Sequence, residues 1–289
     1  MKMIRTYRIK KSIHPAWIWD RYEKTIKKEW QFLLDNQSQF KEKDFQVFLE
    51  RNPSFLPLPF LEGAHGLFPT AIISQPVLPG LQSKIPDFAL LSRDSASFYA
   101  NFIEIEDPNK PWATKSGQQS AQLTQAINQI KDWKIWFQDG NNKQKFINEY
   151  KIPQNLIDGR SFEQRYILIF GRNNDPTLTD TFKKKRNSLQ NSDEVFMTYD
   201  RLLPNREFQN YMTVKINSNG YQAIYIPPTL RISPLNAQDW YIIVNKDNAV
   251  NSNTLLSKSR KQFLNSRWNY WDNWGKQKNY GIIYSKDYE

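Results

Sequence analysis

Ile85-Pro-Asp-Phe-Ala-Leu-Leu91, a polar turn Ser92-Arg-Asp-Ser-Ala-Ser97, Phe98-Tyr-Ala-Asn-Phe-Ile-Glu-Ile-Glu-Asp-Pro108 and, after a loop, Gln118 to Trp133 form the stretch that decides the fold. Phe88 to Leu91 is short and apolar between Pro86 and turn residues, which predicts a strand. Phe98 to Ile105 is the second strand, and the polar residues between the two suit a hairpin turn. A turn centred near Ser95–Ala96 sets Asp87 opposite Glu104, with Cβ atoms ~5 Å apart. Alternation sends Glu104 and Glu106 to one face and Ile103 and Ile105 into the core. Three acids then share one face of a hairpin. Converged carboxylates repel unless something positive sits between them, and an oxygen-only ligand set suits a hard divalent cation, Mg2+ or Mn2+. Acids on the outer face of a strand are more often plain solvated surface. Here they lie in otherwise apolar strands, and the next segment has its own polar stripe. Gln118, Gln122, Gln125, Gln129 and Asp132 recur at helical spacing opposite Leu123, Ile127, Ile130 and Phe137.

Pro86-Asp-Phe88, Phe102-Ile-Glu-Ile-Glu-Asp-Pro108 and Gln125-Ala-Ile-Asn-Gln-Ile-Lys-Asp-Trp133 resemble the core of the Shedu antiphage-defence proteins. Those proteins are similar to the wider PD-(D/E)xK nuclease superfamily. The resemblance extends upstream to Phe48-Leu-Glu-Arg-Asn-Pro-Ser-Phe-Leu56, and downstream to Ile167-Leu-Ile-Phe-Gly-Arg172 and Thr198-Tyr-Asp-Arg-Leu-Leu203. It implies metal-dependent hydrolysis of phosphodiester bonds, with Asp87 and Glu104 as ligands of Mg2+ or Mn2+. It also implies a fourth acid, Glu50, reaching the metal from the first helix of the core. In one place the sequence departs from the pattern: two residues after the glutamate, where a lysine is usual, stands Glu106. Some restriction endonucleases of the superfamily carry Glu-x-Glu, so the departure bears on the identity of the water-activating group. Glu106 would accept the water's proton or help hold the metal. Gln125 and Gln129 would orient the water or the backbone phosphate from the helix. Lys84, Lys110 and Lys115 are the cations near enough in sequence to replace the lysine or grip a phosphate, and Arg172 at a strand end would reach one too.

The 289 residues carry a net charge of +11, from 40 basic and 29 acidic side chains. That balance favours a polyanionic partner, and nucleic acid, DNA in the first place, is the commonest in a cytoplasm. Asn- and Gln-rich composition tempers this, because a lysine bias can accompany an AT-rich genome. Cysteine is absent and the histidines are His14 and His65, which argues against thiolate or histidine zinc sites and against a Ser-His-Asp triad. His65, on an expected loop, is a candidate proton carrier. No apolar run approaches the ~20 residues of a bilayer span, and the basic N-terminus lacks the apolar stretch of a signal peptide. A cytoplasmic protein without a membrane partner is expected.

Along the chain, a helix is expected from His14 to about Phe40, where apolar residues from Trp17 to Leu34 fall near helical spacing, and Asp44 is placed to cap a helix through Phe45, Val47 and Leu49. Ala71-Ile-Ile and Gln75-Pro-Val-Leu are candidate strands. Tyr166 to Phe170 and Glu194 to Tyr199 are further strands, with a basic helix from Thr177 to Gln190 between them. Tyr211 to Ile226 around Asn219-Gly220 is a hairpin, Asp239 to Val244 a third strand, and residues 254–274 a basic helix rich in aromatics. The expected class is α/β (α+β), a nuclease-like mixed β-sheet flanked by helices. Its expected parts are an N-terminal helical extension (1–42), the nuclease core (43–205) and a C-terminal β-hairpin and helix region (206–289). The tryptophan-rich ends also admit a homo-oligomer. Set against an enzyme stands a non-catalytic nucleic-acid- or protein-binding module on the same scaffold, favoured by Glu106.

Overall fold

Asp94 makes the central hairpin. Its Oδ1 accepts from the backbone N–H of Ala96 and of Ser97, each at 2.7 Å, an Asx turn that reverses the chain where the polar run predicted. The computed structural model describes residues 7–12, 14–57, 66–80, 85–278 and 288–289. Its helices are α1 (Trp19–Asp35), α2 (Glu42–Arg51), α3 (Ala121–Gln138), α4 (Gly140–Glu149), α5 (Gln154–Ile157), α6 (Asp180–Leu189), α7 (Lys246–Ser252) and α8 (Lys258–Lys276). The strands are β1 (Ala71–Ser74), β2 (Phe88–Arg93), β3 (Ser97–Ile105), β4 (Ser161–Ile169), β5 (Glu194–Met197), β6 (Met212–Asn217), β7 (Gly220–Tyr225) and β8 (Ile243–Val244). They form one mixed sheet of eight strands in the order β5-β4-β3-β2-β1-β6-β7-β8. The fold is mixed α/β, as the sequence predicts.

β2 runs antiparallel to β3 with Phe88 opposite Ile103, while β3, β4 and β5 are parallel. Side chains alternate, so the sheet has two apolar faces. Phe98, Ala100 and Phe102 pack with Leu123, Ile127, Ile130 and Phe137 of α3. Ile103 and Ile105 pack on the opposite face with Ile26, Trp30 and Leu34 of α1 and with Phe45, Phe48 and Leu49 of α2. The N-terminal aromatic helix therefore caps the core. Ser120 starts α3 by accepting from Leu123 N–H at 3.0 Å, an N-cap.

Several expectations shift. The helix expected from His14 begins at Trp19. Asp44 acts from inside the first turn of α2, where its Oδ2 accepts from Lys41 N–H at 2.8 Å. Gln75 to Leu78 is not a strand: Gln75 takes a positive φ of 48° and turns the chain. Trp240–Ile242 coils into a 3-10 turn and leaves β8 two residues long, because the Lys246 ammonium bonds the carbonyls of Trp240 and Ile243. The boundary expected after residue 205 falls inside a continuous sheet, since β6 pairs in parallel with β1. α8 docks its Leu264, Trp268, Trp271 and Trp274 in the core, and its Arg260 is buried against Glu289. None of the described helices is long and apolar enough to cross a membrane.

Trp30 locks α1 to this core, its ring 5.0–5.8 Å from those of Phe45, Phe48, Phe55 and Tyr199. Trp30→Ala should lower stability by about 3–5 kcal/mol in chemical denaturation; a loss under about 1 kcal/mol would mean that α1 is only loosely attached.

Candidate functional site

The carboxyl ends of the parallel strands β3, β4 and β5 lie side by side, and open α/β sheets place ligands at that edge. β2 runs the other way, so its entry, Asp87, arrives at the same edge. The register carries Asp87 to Glu104: Phe88 pairs with Ile103, and the Asp87 N–H donates to Ile103 O at 3.0 Å. Asp87 Oδ2 accepts from Ile105 N–H at 2.8 Å, which fixes its carboxyl against β3.

Glu104 is 6% exposed. Its Oε1 accepts from Gln129 Nε2 of α3 at 2.6 Å, while its Oε2 is buried and receives no N–H or hydroxyl donor. Asp87 lies beside it across the β2–β3 register, near enough for each carboxyl to act on the other. Burial, then the charges of Glu42 and Glu106, push Asp87 up to about 7. Burial and the neighbouring charges of Asp87, Glu106 and Glu42 hold Glu104 well above the usual carboxylate range. Glu106 is also raised, by burial that Lys110 partly offsets.

Lys110 comes back from the loop after β3. Its Nζ contacts Glu106 Oε2 and lies 3.4 Å from Glu42 Oε2. Burial works against its charge, but the bond to Glu106 and the charges of Glu106 and Glu42 outweigh burial and raise its pKa. The loop thus brings a lysine, four residues beyond Glu106, back to the acids. Behind the cluster, the Tyr199 hydroxyl donates to Glu106 O at 2.6 Å.

Two acids converge rather than four. Among the described residues no group of three or more His, Cys, Asp or Glu is arranged to hold a metal ion. Glu106 is turned to Lys110. Glu50 takes Ser74 Oγ on its Oε1, with Lys215 Nζ 3.7 Å away. The acid of α2 that presses on the cluster is Glu42, eight residues earlier and about 12 Å up the helix axis. Glu42 was missed because the expected helix was capped at Asp44, two residues after it, whereas α2 begins at Glu42 itself. Tyr199 was missed as well, because a buried hydroxyl in an apolar strand has no signature of its own.

The remaining expected residues separate clearly. Gln129 reaches the site, while Gln125, one turn earlier, is exposed and has no hydrogen-bond partner among the described residues. Lys115 is exposed on the loop without an ion-pair partner among them. Arg172 is corrected from a phosphate ligand to an internal tie: its guanidinium is held by Asp200 at 2.9 Å and by Leu34 O and Gln37 Oε1 at 2.6 Å. Four of the five N–H donors of the guanidinium are so engaged within the fold. Lys84 and His65 lie outside the described residues.

The raised carboxyls set the pH dependence of stability. Asp87 binds its proton up to about pH 7 when folded, and releases it around the ordinary carboxyl value of 3.8 when unfolded. The folded state therefore holds more protons between those values, and its stability falls as pH rises through that window. In metal-free buffer Asp87→Asn should raise Tm at pH 8 by on the order of 5 °C, with the gain fading by pH 4. A difference that stays flat with pH would contradict the buried pair.

A family profile described as Shedu protein SduA, C-terminal, matches residues 39–203, more than half of the chain. No curated protein matches the sequence. The match takes in Asp87, Glu104, Glu106, Lys110 and Gln129 together with the strands and helices that bring them to one edge of the sheet, and the chain belongs to the Shedu family.

Proposed function

We propose that the protein is a nuclease that hydrolyses phosphodiester bonds of DNA with Mg2+ or Mn2+, in the antiphage defence that its family suggests. The observation that carries this reading is the buried Asp87–Glu104 contact, with Glu104 Oε2 lacking any donor and a lysine four residues past Glu106 held beside it. The donor set fits a hard cation. Mg2+ is commonly held by one or two carboxylates, with water and phosphate oxygens completing the shell, so a pair of acids suffices. Asp87 and Glu104 would hold it. When bound, the metal supplies charge stabilisation at the phosphate and a water of lowered pKa.

The chain's own groups do the rest. Gln129 donates to one oxygen of Glu104 and leaves the other open toward Asp87. Ile105 N–H orients Asp87 in the same way. Lys110, held by Glu106 and Glu42, presents a point charge where the scissile phosphate would lie. Glu106, lifted by burial and drawn back by Lys110, is placed to accept a proton from the attacking water. Glu106 at the lysine position favours a competing reading, a module that binds nucleic acid without cutting it; such a module would be indifferent to Mg2+ and Mn2+.

Plasmid cleavage with and without Mn2+ separates the two. The wild type should nick or linearise the plasmid only with metal, Glu104→Ala should abolish cleavage, and Lys110→Ala should slow it by about 10²–10³. Cleavage that survives Glu104→Ala would remove the acids from the chemistry.

A further inference from the structure

Beyond the acids, the same edge holds a pair of arginines with no acid partner among the described residues. Arg186, on α6, lies with its guanidinium 5.0 Å from the centroid of the Trp112 ring. Its Nε is buried and has no hydrogen-bond partner, and among the described residues no carboxylate pairs with it. The charge that acts on it is that of Arg201, a like charge, which together with burial lowers its pKa. Arg201 is exposed and likewise has no acid partner among the described residues. Two guanidiniums near enough to feel each other's charge, one of them half-buried over an indole, repel unless an anion lies between them.

The pair is tethered to the acid centre on both sides. Trp112 follows Lys110 by two residues, and Arg201 follows Tyr199, the donor to Glu106 O, by two; each span is at most ~7 Å of chain. Trp112 is itself wedged at the end of β4. A Cβ added to Gly171, which has a φ of +54°, would lie 2.8 Å from Trp112 Nε1 and 3.0 Å from Lys110 O. The indole platform under Arg186 and the loop that carries Lys110 are thus fixed against one point. Exposed Lys184 on α6 adds positive charge to the approach. Arginine forks match phosphate oxygens, and a phosphate is the anion that the nuclease reading brings to this edge.

We infer that Arg186 and Arg201 clamp a backbone phosphate of the nucleic-acid strand next to the acid centre. The position of the clamp along a substrate rests on the nuclease reading; the clamp itself is tested without cleavage. A short labelled DNA duplex is titrated in EDTA across a range of salt, by fluorescence anisotropy, against the wild type, Arg186→Gln, Arg201→Gln and Lys145→Gln, the last an exposed lysine of α4. Each arginine variant should weaken binding about tenfold and reduce the slope of log affinity against log salt by about 1, with Lys145→Gln unchanged. Arg186→Gln should keep or raise Tm at low salt, where a structural arginine would lower it. Inorganic phosphate at constant ionic strength should raise the Tm of the wild type and not of Arg186→Gln. Wild-type-like affinity and slope in both arginine variants overturns the clamp, as does an absence of wild-type binding. Protection by inorganic phosphate with unchanged duplex binding assigns a free-anion site instead and overturns it too. Cleavage that survives Glu104→Ala sinks the nuclease reading and leaves the binding result standing.

Discussion

Two buried carboxyls that cannot both be charged are the constraint on which the site depends. Asp87 and Glu104 are placed together by hairpin register, and Glu106 and Glu42 add negative charge around them. Lys110 answers part of that charge, at Glu106 and Glu42, and leaves Asp87 and Glu104 with raised proton affinity. Such an arrangement destabilises the folded chain at neutral pH, and it persists because backbone geometry imposes it. Asp87 is pinned by Ile105 N–H, Glu104 by Gln129, and both strands are in the middle of the sheet. Strain of this kind gathers where a cation or a proton transfer has to be accommodated.

The rest of the molecule holds that edge in shape. β3, β4 and β5 end together, so the segments after them meet above the sheet: the Lys110 loop, Gly171-Arg172 and the turn through Tyr199. Arg172 ties the second of these to the end of α1 and to Asp200. Trp30 stacks on Tyr199, whose hydroxyl bonds the Glu106 carbonyl. An aromatic helix added in front of the core that the family profile matches is thereby connected to the acids through two contacts.

What could be seen in the sequence follows from range. The Asp87–Glu104 register was legible because a turn of known polarity and a period of two fix it locally. Gln129 was legible because a helix face repeats every three to four residues, although the same rule could not say that Gln125 stops short. β4 runs from Ser161 while its apolar signal starts at Tyr166, because its first half is only partly buried and is held as strand by pairing with β3. Glu42, Glu50 and Arg172 were not legible in their roles. Which end of α2 meets the acids depends on how that helix lies across the sheet, and whether an arginine faces a ligand or a neighbouring carbonyl depends on where α1 ends. Lys110 belongs between these cases: the sequence put it near the site, and the fold decided that its partners are Glu106 and Glu42.

Proton release on metal binding bears on the central claim more directly than any activity assay. A cation taken up between Asp87 and Glu104 must displace protons that their burial and mutual repulsion retain near neutral pH. Calorimetric titration of Mn2+ into the protein near pH 7, in two buffers of different ionisation enthalpy, counts the protons leaving per metal bound. The account predicts saturable binding with release of about one proton in the wild type, and weakened binding without that release in Glu104→Gln. Saturable binding with no proton released, or release unchanged in Glu104→Gln, would contradict it.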